Sequence, residues 1–320
     1  MVERPLRLGL IGAGRWGRVY IETFERLKGV RLVRLASTNA DSRTLVDDQC
    51  VLTRDWQSVA GADDIDGVII ATPPALHAEM AHAAIVVGNA VLIEKPLTLD
   101  MGEAHALHAF AESQGAIVHV DHIHLCHPAY RALKSQGLAM GSIHAIRSGA
   151  GNWGPFRPDA SVLWDWGPHD IALCLDLMGE KPQSVSARMQ EIRLTEDGEG
   201  QAIALQLTFA GGVRADIELS NLRDKKKRFL AVHYDHESLI YDAIGSDVLV
   251  CEPRPDDAKC LSEEATRLDV PNIQALDQVL NDFAAAISKG APDIAGLRLG
   301  VDVVEVLGAC EKALKESEAP

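Results

Sequence analysis

At 320 residues, with 47% hydrophobic and 24% charged side chains, the chain is long enough for two ordinary domains and has a globular composition. Its formal charge of −15 argues against the basic footprint that nucleic acid or an anionic membrane surface would select, and no apolar run approaches the length of a membrane span. The expected partners are therefore small molecules, with no nucleic acid and no membrane.

Six cysteines, Cys50, Cys126, Cys174, Cys251, Cys260 and Cys310, are scattered without a Cys-x-x-Cys pair, which fits reduced thiols and a cytoplasmic location. The apolar run from Leu8 to Ala13 leads into glycines rather than a cleavage site, so no leader is expected.

Leu6 to Ile11 reads as a short buried strand, followed at once by Gly12-Ala13-Gly14-Arg15-Trp16-Gly17 and a helix from about Val19 to Leu27. A G-x-G-x-x-G run between strand and helix has the chemistry of a dinucleotide site. Gly12 allows the tight turn, Gly14 lets a pyrophosphate approach the backbone, and Gly17 lets helix and strand pack closely. Arg15 and Trp16 stand inside the same loop. The next strand, Val30 to Ala36, ends in Ser37-Thr38-Asn39, where an NAD enzyme usually carries the acid that holds the ribose 2′-hydroxyl. Ser37, Thr38 and Asn39 can donate to a 2′-phosphate, with Arg15 or Arg43 supplying charge. NADP is therefore favoured over NAD; the alternative is an ordinary polar turn with Asp41 reaching back to the ribose.

A third strand, Asp66 to Ala71, ends in Thr72-Pro73-Pro74 before a helix carrying His77. A fourth, Val91 to Ile93, ends in Glu94-Lys95-Pro96. Ligands of open parallel sheets sit beyond the carboxyl ends of the strands, which places Thr72, Pro73, Lys95 and Pro96 on the ligand side. Pro96 admits a cis bond that would direct Lys95. Thr98 is the expected cap of a helix to about Gln114, and Ile117 to Val120 closes the domain. His119, His122, His124 and His127, with Asp121 and Cys126, pose the question of a metal, and His122 and His124 would share a face if the strand continued. The reading adopted is no metal, with His122 and His124 lining a substrate pocket.

Between Ile143 and Tyr241 the pattern becomes a series of strands: Ile143 to Ser148, Ser184 to Met189, Ala202 to Phe209, Val213 to Leu219, Phe229 to Tyr234 and Ser238 to Ile244. Gly211-Gly212 marks a hairpin, and the pattern is that of an antiparallel sheet. The loop Asn152 to Pro158 and the stretch after it hold Trp153, Trp164 and Trp166, which can stack on a sugar face, and Arg157, which can clamp a phosphate or carboxylate. At least one tryptophan is expected in the core. Lys225 to Arg228 reads as a solvated edge or turn. A helix is expected from Pro168 to Gly179, with Ile171, Cys174, Leu175 and Met178 on its buried face. Asp165 and His169 stand four apart and project from one side if the first turn reaches back to Asp165. They are either a general-base pair or a cap and a surface histidine.

With Gly12 to Gly17, Ala71-Thr72-Pro73 with His77, and Glu94-Lys95-Pro96 at these spacings, the chain resembles the Gfo/Idh/MocA oxidoreductases over its full length. His127 to Tyr130 with Leu133-Lys134 looks like that family's linker helix, Asp165-x-Gly167-x-His169 like its second-domain signature, and Ala295 to Leu299 with the helix to Lys315 like its C-terminal helix. The resemblance implies an α/β fold: an N-terminal Rossmann domain with a doubly wound parallel sheet (residues 1–121), then an α+β domain with a large, mostly antiparallel sheet. That second domain spans residues 122–320, including a helix at 297–315, and its open sheet face implies a homodimer or homotetramer. The resemblance also implies NAD(P)-dependent hydride transfer on a secondary alcohol or ketone of a sugar, inositol, polyol or nucleotide sugar. It further implies that Lys95 lies beside nicotinamide and substrate, that His169 is the acid/base, and that Asp165 is its partner or a substrate-binding group. Alternatives are a cofactor-binding regulatory protein and a reductase of a non-sugar carbonyl or imine. Ala172 departs from the family pattern, which commonly has an acid three residues after the histidine; here Asp170 follows it directly.

Overall fold

The computed structural model describes residues 4–157, 160–245, 248–253 and 265–317, so Pro158 and Cys260 lie outside the described residues. Two compact units emerge, Met1–Ile123 with Gln274–Val304, and His124–Ile273 with Glu305–Pro320.

In the first unit β1 (Leu6–Ile11), α1 (Arg15–Arg26), β2 (Val30–Ala36), β3 (Val51–Thr53), α2 (Gln57–Ala60), β4 (Gly67–Ile70), α3 (His77–Val86), β5 (Ala90–Glu94), α4 (Met101–Ser113) and β6 (Val118–Asp121) follow in order. The six strands are all parallel, in the order β3-β2-β1-β4-β5-β6, which is the doubly wound arrangement. β4 and β5 are buried at every residue because both sheet faces are covered, and their sequences are accordingly apolar up to Glu94 at the end of β5. α1 starts earlier than the periodicity suggested, with Gly14 as its N-cap, since glycines at both ends of the loop let the helix begin inside the motif. Asp100, not Thr98, caps α4: its carboxylate accepts from Glu103 N–H, while the Thr98 hydroxyl bonds the Asp100 backbone. The short β3 carries too few apolar residues to stand out in the sequence.

The second unit begins with α5 (Pro128–Gly137), whose N-cap is His127 through a bond from Ala129 N–H, and continues with β7 (Ala145–Trp153) and α6 (Val162–Met178). Then come β8 (Ser184–Thr195), β9 (Gly198–Thr208), β10 (Arg214–Ser220), β11 (Leu222–His233), β12 (Glu237–Asp242), β13 (Leu249–Pro253) and β14 (Thr266–Arg267). The sheet order is β14-β13-β12-β11-β7-β10-β9-β8, antiparallel throughout except for β7 with β10. Gly211 and Gly212, both at positive φ, turn β9 into β10. In that pair Ala215, Ile217 and Leu219 face Leu207, Leu205 and Ile203 in register and all are buried, while Gln206 bonds Asp216 on the other face. α6 packs across β7, β9 and β10, and Gly167 lets it approach Leu219.

α6 begins at Val162, so Pro168 lies inside the helix rather than in its first turn. Gly179 ends it at φ +67°, its N–H bonding the Leu175 carbonyl. The run Lys225–Arg228 is neither an edge nor a turn but part of β11, an interior strand between β12 and β7. Lys225 and Lys226 are exposed there, whereas Arg228 is buried.

After β14 the chain forms α7 (Ala275–Lys289) and α8 (Ala295–Ser317). A single boundary at 121/122 sends residues 274–304 to the second domain, but they pack on the first sheet. Phe283 and Ile287 of α7 lie against Gly67, Asp277 pairs with Arg26, and Asp293 accepts from Val118 N–H. The β4 face needs apolar cover, and α7 supplies it.

Candidate functional site

The first unit gathers its candidate residues at the carboxyl ends of β1, β2, β4 and β5. Gly12 stands at φ +101°, and a Cβ there would lie 2.4 Å from the Ala71 carbonyl oxygen; one at Gly17 would lie 2.0 Å from the Gly12 carbonyl oxygen. Both glycines are demanded by the fold itself. Gly14 differs, since a Cβ there would meet nothing within 4 Å, so the loop leaves open space in front of the first turn of α1. That turn has no acidic residue and no side-chain cap, which leaves its backbone N–H groups to an anion from outside. The loop therefore fits a pyrophosphate.

At the end of β2 the structure separates the candidates. Ser37 is buried and its hydroxyl is used within the turn, accepting from Asn39 N–H at 3.2 Å and bonding Ser42 at 2.7 Å. The Asn39 side chain accepts from Asp41 N–H. Arg43 is spent on the carbonyls of Val46, Asp47 and Cys50, where it closes the 46–50 loop. Thr38 and Arg15 are exposed, and Trp16 is half-buried.

Thr72-Pro73 and Lys95-Pro96, the latter following Glu94 at the end of β5, form two neighbouring loops fastened by one side chain. His77 is fully buried, with Nδ1 3.0 Å from the Pro96 carbonyl oxygen and Nε2 2.9 Å from that of Thr72. Burial holds its pKa below the ordinary histidine value, although both carbonyls favour a protonated ring. His77 thus joins the loops through the backbone and has no ring nitrogen left for a cofactor. The Lys95–Pro96 bond is cis.

Beneath these loops lies a cluster that pattern reading missed. Glu94 and Asp121 are register partners on β5 and β6, both buried, and the buried Tyr20 hydroxyl donates to Asp121 Oδ2. The available signal was a tyrosine on the apolar stripe of α1, because a buried phenol needs a polar partner. His122 follows, also buried; burial and then Lys95 push its pKa down to about 4, so the ring is neutral. β6 stops at Asp121 and the chain enters a 3-10 turn at Ile123, so His122 and His124 do not form a pair on one strand. His122 belongs to the first unit and His124 to the second. Among the described residues no three His, Cys, Asp or Glu side chains converge as metal ligands would.

In the second unit, α6 carries Asp165 and His169 one turn apart on one side, both partly exposed. Arg157 pairs with Asp165 at 3.2 Å, so the guanidinium read as a substrate clamp is engaged with a carboxylate of the same unit. The His124 ring meets His169 edge to face with centroids 4.9 Å apart, and its Nδ1 lies 3.3 Å from the hydroxyl of the buried Tyr241. Trp164 donates to Glu311 at 3.1 Å, Trp153 is exposed edge-on to Phe156, and Trp166 is half-buried. Asp170 does not flank His169 as a solvent-facing acid: it is fully buried and pairs with Arg228 at 2.9 Å. Ala172 is fully buried as well.

A doubly wound sheet with an open pyrophosphate cradle, followed by a large mixed sheet with a histidine-bearing helix, defines an NAD(P)-dependent oxidoreductase of two-unit design. Residues 6–122 match the oxidoreductase family, NAD-binding Rossmann fold, of the GFO/IDH/MocA group, and residues 129–240 match its C-terminal domain. The chain belongs to the GFO/IDH/MocA family. It is 27% identical to the UDP-N-acetylglucosamine 3-dehydrogenase of Acidithiobacillus ferrooxidans, covering 97% of this chain and 99% of that protein. It is 24% identical to the inositol 2-dehydrogenase of Rhizobium meliloti, over 89% and 90% of the two chains. The crystal structure of a presumed oxidoreductase from Magnetospirillum magnetotacticum MS-1 superposes with a TM-score of 0.90 at 45% identity, over 96% and 99%. Among the described residues no helix is long and apolar enough to cross a membrane.

Proposed function

We propose that the chain catalyses reversible oxidation of a secondary alcohol to a ketone on a sugar-like substrate, with NADP preferred to NAD. The observation that carries the reading is the catalytic residue set. Lys95 follows β5 in a loop fastened by His77, and Asp165 and His169 share one side of α6. Gly12, Gly14, Gly17 and the first turn of α1 hold the pyrophosphate. Thr38 and Arg15, at a strand end without a carboxylate, receive the 2′-phosphate, and Thr72, Pro73, Lys95 and Pro96 border the nicotinamide. When bound, the nicotinamide takes up or gives the hydride. His169 moves the hydroxyl proton, Asp165 orients the histidine, and Lys95 stabilises the oxygen on which negative charge develops. His122, His124, Trp153 and Trp164 are proposed for the substrate side. The full-length similarity to a UDP-N-acetylglucosamine 3-dehydrogenase puts nucleotide sugars first among candidate substrates, ahead of free sugars, inositols and polyols.

The test is a panel of these compounds followed by nicotinamide absorbance with each dinucleotide. On the substrate so found, Lys95→Met and His169→Ala are each expected to lower turnover by about 10²- to 10⁴-fold. Near-normal turnover in both variants, with folding intact, would sink the assignment.

A further inference from the structure

We propose that Glu94 and Asp121 share a single proton at neutral pH, held in place with the Tyr20 hydroxyl, so that a cluster of one negative charge stands beside Lys95. Its bearing on catalysis rests on the reading of Lys95 given above; the shared proton itself does not.

The geometry sets the problem. Neighbouring strands in a sheet lie about 4.8 Å apart, and Glu94 and Asp121 are opposite one another at the ends of two such strands. They are only 6% and 2% exposed, so water does not screen them. Ionised carboxylates are acceptors only, and the donors within reach are few. The Tyr20 hydroxyl donates to Asp121 Oδ2 and the Lys95 backbone N–H to Glu94 Oε2 at 3.2 Å, while among the described residues Glu94 Oε1 and Asp121 Oδ1 receive no hydrogen bond. The titratable groups facing Glu94 are Tyr20 from α1, Asp121 from β6 and Lys95 from its own strand end, and His122 faces Lys95. One phenol proton cannot serve two carboxylates. A proton on either one supplies the missing donor and removes the repulsion of two like charges at one site.

The directions of the ionisation equilibria agree. Burial, then the Asp121 charge, pushes Glu94 up to about 8. Burial pushes Asp121 up to about 6, against the pull of the Tyr20 hydrogen bond and of Lys95. Burial and the two carboxylates raise Tyr20 well above the ordinary phenol range, so it remains a donor.

The test is infrared difference spectroscopy on the full chain without cofactor, which reads the carbonyl stretch of a protonated carboxylic acid and is independent of turnover. The wild type minus Glu94→Gln is expected to show one such band at neutral pH. In Asp121→Asn the band should vanish, or titrate away at least about one pH unit lower, because the like charge is gone. A wild type with no band, a band that survives in Glu94→Gln, or one unmoved in Asp121→Asn overturns the proposal. Should either variant fold poorly, Tyr20→Phe takes its place. Loss of the phenol donor should carry the band about one pH unit higher, and a band that stays put or moves down overturns the proposal. Loss of activity in Lys95→Met tests the role of Lys95 separately.

Discussion

Arg228 shows how one side chain can reverse the reading of a whole stretch. Three of the four residues in its basic run reach solvent or its margin, but Arg228 points inward to the fully buried Asp170, and among the described residues Asp170 Oδ1 and Arg228 Nη2 find no hydrogen-bond partner. Burial raises the Asp170 pKa and Arg228 opposes that rise. Arg228→Met leaves an uncompensated buried carboxylate and is expected to cost about 3–5 kcal/mol in urea unfolding at neutral pH. The loss should shrink in acid as Asp170 takes up a proton. Replacing both partners by apolar residues of similar volume should be far milder, and an additive double variant would argue against the pairing.

His122 and Glu94 make opposite demands on pH. The folded pKa of His122 is depressed to about 4, so the unfolded chain binds the proton first as pH falls. Compared with His122→Asn, the wild type is expected to lose stability from about pH 6.5 down through 4. For Glu94 the folded pKa is raised to about 8, so its contribution is complete in acid and is lost as pH rises from about 4.3 through 8. Glu94→Gln should flatten that decline. Melting temperatures of the three proteins across this range check both signs, and parallel curves would refute them.

At the scale of an element, the glycine loop divides its own motif. Gly17→Ala places a Cβ 2.0 Å from a carbonyl oxygen that cannot move without shifting β1, so it is expected to destabilise by about 1–3 kcal/mol or more. Gly14→Ala meets no atom and should leave the melting temperature unchanged while weakening dinucleotide binding at least about tenfold, measured by calorimetry. Equal binding in Gly14→Ala and wild type would move the pyrophosphate elsewhere. α6 teaches a related point: Pro168 and Gly179 both read as helix ends, yet only Gly179 is one. A proline removes a single N–H, and a helix of 17 residues packed across three strands tolerates that loss.

For the whole molecule, the second sheet exposes Ile192 and Leu194 on one face of its edge strand β8, with Trp153 and Ile244 also solvent-facing in the same unit. A homodimer or homotetramer would bury such residues, and light scattering at micromolar concentration is expected to show it. A strictly monomeric protein would count against the proposal.

Some of this design was written locally. Strand and helix periods, the spacing of Gly12, Gly14 and Gly17, and the strand ends at Thr72 and Lys95 can be read from neighbours in sequence, because turns and close backbone approach constrain residue type within a few positions. The parallel sheet, the mostly antiparallel sheet, and the placement of Lys95 just past a strand end and of His169 on a helix were legible for that reason. Tertiary structure decided what depends on residues far apart. It turned His77 into a fastener of two loops, drew Arg228 to Asp170 and brought Tyr20 to Asp121 across 101 positions. It also returned residues 274–304 to the first sheet. A buried polar group takes its partner from whatever the fold places beside it, and sequence spacing carries no record of that choice.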